Sequence, residues 1–340
     1  MQASLDRKLK ILLCGYGHLG LGILQGLLSC HDQCEVVGVF RWTARPGGHA
    51  FWEPVEDDFK NLIAQAGLLD IQCTGVNSFE FIQLLQELQP DVVLVGSWGE
   101  ILKPHILELP GVILVNCHPS KLPAHRGANP YASVILQQET ETGVTFHRMA
   151  PQIDAGAIFL QRSVPLGPYE NGETVRGKCV ETAQAMVPEL VSNLYRHVVH
   201  GEPLPELEQD HTVKSYYGQL KQERGQLDWS QNAEDMFRQI RGLYPWIVCY
   251  SFLEGRRAVV FYECRFIAVD PAVVQGKLPG TIHQFEQGAF QVVVNDPNFL
   301  LEVTTYQIAA NTNFFLPAWA CGFLAPFLLR PGKRFFTPET

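Results

Sequence analysis

Over the first 120 residues, short β-branched apolar runs alternate with stretches whose apolar positions recur every three to four residues, the pattern of β-α-β units around a parallel sheet. It predicts strands at Lys10–Cys14, Glu35–Phe40, Asp91–Gly96 and Val112–Cys117, and helices at Leu19–Ser29, Phe59–Ala66 and Ser78–Leu88. Glu141–Met149 reads as a further extended segment and Glu173–Val199 as a helix. The expected fold class is α/β, an open Rossmann-like parallel sheet. A Pro-punctuated, charged stretch follows, and then the pattern changes. After one helix at Ala233–Leu243 come short alternating runs at Val248–Leu253, Ala258–Phe266, Gly280–His283, Phe290–Val294 and Leu300–Tyr306, which predict a small OB-like β-barrel. The expected organisation is an α/β domain at 1–205, a linker at 206–224 and a barrel at 225–340.

With 46% hydrophobic and 18% charged residues, the 340-residue chain has an ordinary globular composition, long enough for two cores, and is neither disordered, collagen-like nor a coiled coil. Its formal charge is −9, so a polyanionic partner would have to be held by a local basic patch. Residues 1–210 carry 14 Lys+Arg against 24 Asp+Glu, and residues 211–340 carry 12 against 11. Nine cysteines, with no C-x-x-C pair, read as free thiols in a reducing cytoplasm. Met1–Lys10 lacks the apolar stretch of a signal peptide. The uncharged stretch Asn311–Leu329 is broken by Pro317 and Pro326 and falls short of the roughly 20 apolar residues of a membrane span, so a packed C-terminal tail is expected.

Two places carry candidate chemistry. Gly15-Tyr16-Gly17-His18-Leu19-Gly20 fits G-x-G-x-x-G directly after a predicted strand and at the start of a helix. With Arg41 ending the second strand where a dinucleotide enzyme would hold a 2′-phosphate, the loop admits an NADP-dependent oxidoreductase. The favoured reading is a tight strand-to-helix turn that needs φ > 0 and close packing. The second place is the end of the strand Val112–Cys117. Strand side chains alternate faces, so Asn116 and His118 share one side at the carboxyl end, where open α/β sheets bind ligands. A neutral imidazole can take a proton from an attacking amine, and a carboxamide can donate to a developing oxyanion. Asp154, in the turn Asp154-Ala155-Gly156, is suited to orient His118 or to relay its proton.

Asn116-Cys117-His118, the Ser120–Gly127 loop with Leu122, Pro123, Arg126 and Gly127, then Gly143-Val144-Thr145 and Asp154-Ala155-Gly156, resemble the formyltransferases that use 10-formyltetrahydrofolate. The resemblance implies Asn116, His118 and Asp154 as the catalytic set and 10-formyltetrahydrofolate as co-substrate, with no metal. It implies a pterin pocket along Ser97, Trp98, Gly99, Ile101 and Leu102 and the loop bearing Pro151 and Ile153. Acceptor contacts are expected at Gly15, Gly17, Arg41, Ser120, Leu122, Pro123 and Arg126, the last through a guanidinium fork suited to phosphate or carboxylate. Gln226-Leu227-Asp228-Trp229-Ser230, Ile240–Trp246 and Pro279-Gly280-Thr281-Ile282 resemble the C-terminal domain of methionyl-tRNA formyltransferases, which implies initiator tRNA as acceptor. The same barrel occurs in some amino-sugar formyltransferases, and Gly143–Gln161 is also similar to the enzyme that formylates 4-amino-arabinose, so a nucleotide-linked amino sugar is the alternative acceptor. The tRNA enzymes carry a basic insertion after the second strand. Here Arg41 and Arg45 stand beside Glu53, Glu56, Asp57 and Asp58.

Overall fold

A computed structural model describes residues 7–44, 55–254, 257–311 and 314–336; Arg45 and Glu53, named above, lie outside them. The chain divides into two compact units. One comprises Met1–Tyr131, Glu139–Pro168 and Thr174–Gly218; the other comprises Ala132–Gln138, Tyr169–Glu173 and Gln219–Thr340.

From the amino end the elements are β1 (Leu9–Gly15), α1 (Gly17–Leu28), β2 (Cys34–Arg41), α2 (Val55–Gln65), β3 (Asp70–Ile71), α3 (Phe79–Leu88), β4 (Val92–Gly96), α4 (Pro104–Leu107), β5 (Ile113–His118), β6 (Arg126–Gly127), α5 (Pro130–Leu136), β7 (Glu141–Arg148), β8 (Ile158–Pro165), α6 (Gly172–His200) and β9 (Tyr216–Tyr217). Seven strands of the first unit form one sheet in the order β3-β2-β1-β4-β5-β7-β8. β1 and β4 are apolar at nearly every position because both of their faces are covered, which is why they read as continuous runs rather than alternating ones. β1 to β5 pair in parallel, as expected. The last two pairs, β5 with β7 and β7 with β8, are antiparallel, so the sheet is mixed. β7 and β8 are joined by a short turn, which can only return the chain antiparallel, since a parallel partner needs a crossover of a dozen residues or more. That turn carries Asp154.

The second unit contains α7 (Ala233–Leu243), β10 (Cys249–Leu253), β11 (Arg257–Ala268), β12 (Ile282–Glu286), β13 (Ala289–Val293), β14 (Phe299–Asn311), β15 (Phe314–Phe315), α8 (Ala318–Leu328) and β16 (Phe335–Phe336). Its antiparallel sheet runs β12-β13-β14-β11-β10-β16. The two ends of that path meet: Phe335 N–H donates to the Gly280 carbonyl (2.9 Å), Ile282 N–H to the Lys333 carbonyl (2.8 Å) and Gly332 N–H to the Ile282 carbonyl (2.9 Å). Closure leaves no unpaired edge at that seam. Inside, Trp229 stacks on Phe335 with ring centroids 5.6 Å apart, and Phe261 lies 5.5 Å from Phe335 and 5.9 Å from Phe290.

The expected C-terminal tail is the helix α8. Ala320, Cys321, Ala325 and Leu329 are buried, the last three in the core of this unit, whereas Phe323 and Phe327 are exposed. No helix among the described residues is long and apolar enough to cross a membrane. All nine cysteines are thiols, and burial pushes those of Cys34 and Cys179 up to about 12.

Candidate active site

Asn116 and His118 end β5, facing β7 in antiparallel register: Asn116 lies opposite His147 and His118 opposite Thr145. Asp154 comes from the turn after β7, with φ of +51°. The three residues expected to act together are brought together. Asn116 Nδ2 lies 3.3 Å from Asp154 Oδ1, and His118 Nδ1 lies 3.5 Å from Asp154 Oδ2. The His118 and Asp154 side chains are only 6% and 11% exposed.

The hydrogen bonds fix the protonation pattern. His118 Nε2 lies 2.8 Å from the His125 carbonyl oxygen, which can only accept, so Nε2 carries the hydrogen and the lone pair of neutral His118 is on Nδ1. That lone pair faces Asp154. Burial lowers the His118 pKa, and the neighbouring His147 and Arg126 lower it further, against the opposing effect of Asp154 and the His125 carbonyl. Asp154 shows the reverse balance. Burial works to raise its pKa, but His118, His147 and the Gly127 N–H, which donates to Oδ2 at 2.8 Å, together hold it well below the ordinary carboxylate range. The site at neutral pH therefore holds a neutral imidazole with its lone pair turned to a fixed carboxylate.

His147 is a member that the sequence reading missed. Its Nδ1 donates to the Arg148 carbonyl (2.8 Å), so Nε2 faces Asn116 Nδ2 at 3.1 Å and Asp154 Oδ1 at 3.6 Å. The signal available was its place in the expected strand, two residues after Thr145 on the same face. Between Asn116, His147 and Asp154 the carboxamide has one orientation, with its nitrogen toward the carboxylate.

The loop after His118 is locked from β7 and β8. Thr145 Oγ1 donates to the Ser120 carbonyl (2.7 Å) and accepts from Gln161 Nε2 (2.9 Å), while Gln161 also donates to the Leu122 carbonyl (2.9 Å). This accounts for a Thr in Gly143-Val144-Thr145. Ser120 and Leu122 are buried, Ser120 Oγ donating to the Ala124 carbonyl (2.8 Å), and Pro123 follows a cis peptide. Arg126 is also buried, its Nη2 bound by Gln209 Oε1 (2.5 Å) and 3.0 Å from His211 Nδ1. Of the residues expected to line a pterin pocket, Leu102 is buried, whereas Ile101 and Ile153 are 68% and 40% exposed. Ser97 adopts φ of +61° at the end of β4, and Trp98 packs on Phe40 and Trp42 at centroid distances of 5.0 and 5.2 Å. Pro151 is exposed and Gly99 abuts Trp42, where a Cβ would come within 2.7 Å of the indole ring.

In the glycine loop, a Cβ on Gly20 would lie 3.0 Å from both the Gly15 backbone and the Phe59 ring, and Gly17 has φ of +59°. The free N–H of Gly17 is occupied by a carboxylate of the chain itself, Glu56 Oε1 at 2.6 Å, whose other oxygen accepts from Thr43 (3.0 Å). Arg41 is engaged through both Nε and Nη2 by Asp70, at 3.1 and 2.9 Å. Both groups that an NADP phosphate would need are thus taken by acidic side chains.

A mixed α/β sheet that gathers an Asn, a His and an Asp at the carboxyl end of β5, followed along the chain by an antiparallel barrel unit, is an arrangement suited to acyl transfer. Residues 7–191 match the formyl transferase family and residues 219–324 its C-terminal domain; the chain belongs to the formyl transferase family and is a formyltransferase. It is similar to the methionyl-tRNA formyltransferase of Moorella thermoacetica, 32% identical over 253 residues that cover 74% of this chain and 79% of that one. It is also similar to that of Nitratidesulfovibrio vulgaris strain DP4, 29% identical over 320 residues that cover 93% and 94%. Among solved structures, HypX from Aquifex aeolicus in complex with tetrahydrofolic acid superposes with a TM-score of 0.62 at 16% identity, over 95% of this chain and 48% of that one. The N-formyltransferase of Helicobacter canadensis in complex with folinic acid and dTDP-3-aminofucose does so with 0.62 at 15% identity, over 87% and 98%.

Proposed function

We propose that the enzyme transfers the formyl group of 10-formyltetrahydrofolate to the amino group of methionyl-tRNA. The observation that carries the acceptor is the second unit: it matches the family's C-terminal domain, and relatives that align along nearly the whole chain are methionyl-tRNA formyltransferases. The co-substrate reading is supported by Ile101 and Ile153, exposed apolar side chains on the two segments, Ser97–Leu102 and Pro151–Ile153, assigned to the pterin.

In the proposed reaction the neutral amine attacks the formyl carbon, forming a C–N bond and a tetrahedral oxyanion. Asn116, held by His147, turns to that oxyanion the N–H that it otherwise gives to Asp154. The amine proton passes by way of the Asp154 carboxylate to His118 Nδ1, whose lone pair faces it. Collapse breaks the bond from the formyl carbon to N10, the proton passes to N10, and tetrahydrofolate leaves. Gly15, Gly17 and Arg41 shape the acceptor side, while Ser120, Leu122, Pro123 and Arg126 hold the loop beside His118.

A second reading, transfer to a nucleotide-linked amino sugar, draws on the similarity of Gly143–Gln161 to the enzyme that formylates 4-amino-arabinose and on the acidic first turn of α2, which offers a polyanion the size of tRNA no basic grip there. The test presents 10-formyltetrahydrofolate with methionyl initiator tRNA and with a panel of nucleotide amino sugars. Formylation of the tRNA, weakening steeply as salt rises, is expected. Formylation of a sugar alone, with little salt dependence, would transfer the assignment to the second reading.

A further inference from the structure

Residues 207–217 run from the end of the first unit's helical region across the loop that follows His118, and the mechanism above uses none of them. Leu207 exchanges main-chain hydrogen bonds with Ile158 at 2.8 and 2.9 Å. Gln209 is buried and donates from Nε2 to two carbonyls, those of Asp154 (2.9 Å) and Gly156 (2.7 Å), while its Oε1 accepts from Arg126. Ser215 accepts from the N–H of His125 through Oγ (2.9 Å) and from the N–H of Arg126 through its carbonyl (3.0 Å). Tyr217 accepts from the N–H of Ala128 (3.0 Å), and its ring stacks on His125 at 5.1 Å. One continuous segment thus grips both parts that set His118 and Asp154. These are the Asp154 turn and the His125–Ala128 loop, which supplies the carbonyl for His118 Nε2–H and the Gly127 N–H for Asp154.

We propose that residues 207–217 form a strap that positions the Asp154 carboxylate against His118, with Gln209 as the positioning residue. Asp154 holds a left-handed conformation, which costs a non-glycine residue energy and persists where neighbours over-determine it. The two Gln209 hydrogen bonds on either side of Ala155 do so. Without them the turn relaxes and the carboxylate withdraws from Gly127 and His118. The titratable and charged groups that act on His118 are Asp154, His147, Arg126 and His125. Asp154 is the one anion among them, so its withdrawal makes His118 harder to protonate.

The inference rests on the assignment of Asn116, His118 and Asp154 as the catalytic set, and its test separates the two. Gln209→Met keeps the length of the side chain and removes its hydrogen bonds. In the full-length protein we expect the His118 ring, followed by NMR and assigned by its absence in His118→Asn, to titrate at lower pH in Gln209→Met than in wild type. The kcat for formyl transfer should fall by roughly tenfold to a hundredfold, with KM for 10-formyltetrahydrofolate little changed. Ser215→Ala, a smaller lesion in the same strap, should move both in the same direction by less, which keeps the test open if Gln209→Met does not fold. A His118 midpoint and kcat equal to wild type in either folded variant would overturn the strap. The titration needs no acceptor, so a failure of formyl transfer in the wild type would sink the proposed function and leave the strap to be decided by NMR.

Discussion

His118 has one nitrogen committed to a backbone carbonyl and the other turned to a carboxylate, an asymmetry that suits it to the proposed role of base. His118→Ala should lower kcat by about 10²-fold to 10⁴-fold, the usual contribution of a positioned general base, and Asn116→Ala by about 10²-fold to 10³-fold, that of one oxyanion donor. Single-turnover formyl transfer measures both. Wild-type rates in either would remove that residue from the mechanism. The same two groups write a pH signature into stability. Asp154 titrates lower when folded than when unfolded, so its contribution is complete above about pH 4 and is lost as pH falls through its depressed folded value. His118, also lowered, binds its proton more readily when unfolded, so it destabilises the fold progressively below about pH 6.5. Denaturant unfolding at a series of pH values should therefore show stability falling from pH 6.5 downward, and Asp154→Asn should flatten the part below pH 4. At this scale Asn116, His118 and Asp154 were legible because residue type, strand alternation and a turn signal converge on them. His147 was not, since a histidine inside a buried strand carries no local mark that separates a ligand from a core residue.

At the scale of elements, the site depends on backbone close approaches. Gly127, in β6, has φ of +94°, and a Cβ there would lie 2.7 Å from the Tyr216 ring and collide with the Tyr217 carbonyl of β9. Gly127→Ala should destabilise the first unit by on the order of 2 kcal/mol and lower formyl transfer through loss of the Gly127 N–H to Asp154. A thermal melt and a rate measurement on the same preparation check it, and an unchanged melt would mean that β6 and β9 do not pair as described. The apolar pattern located β1, β2, β4, β5 and α7 closely, because in each the periodicity is sustained and one environment dominates. It did not yield the antiparallel β8, an edge strand whose outer half is solvent-exposed, nor α8, which is apolar on nearly all sides and so shows no helical stripe. The segment 207–217 was read from its prolines and charges as part of a linker. Its structural bonds come from Gln209, Ser215 and main-chain groups, which hydrophobic periodicity does not register.

At the scale of the whole molecule, a chain of net charge −9 with tRNA as its proposed acceptor must confine its phosphate contacts to a small surface. Affinity for methionyl-tRNA should fall linearly in log–log form as salt rises from 50 to 200 mM, by about 0.7 to 0.9 per phosphate contact. Filter binding across that range measures the slope, and a slope near zero would exclude a phosphate-gripping acceptor. The division of the chain into an α/β unit and an antiparallel unit that closes on an aromatic core was visible in the change from long mixed periodicity to short alternation. The acceptor is not written in either pattern. The most direct measurement is single-turnover transfer from formyl-labelled 10-formyltetrahydrofolate to methionyl initiator tRNA, with the label followed by mass, in wild type and in His118→Ala. Label should appear on the methionine amino group in wild type and be delayed by about 10²-fold or more in the variant. Label that remains on folate in wild type, or that reaches the tRNA equally fast without His118, would contradict it.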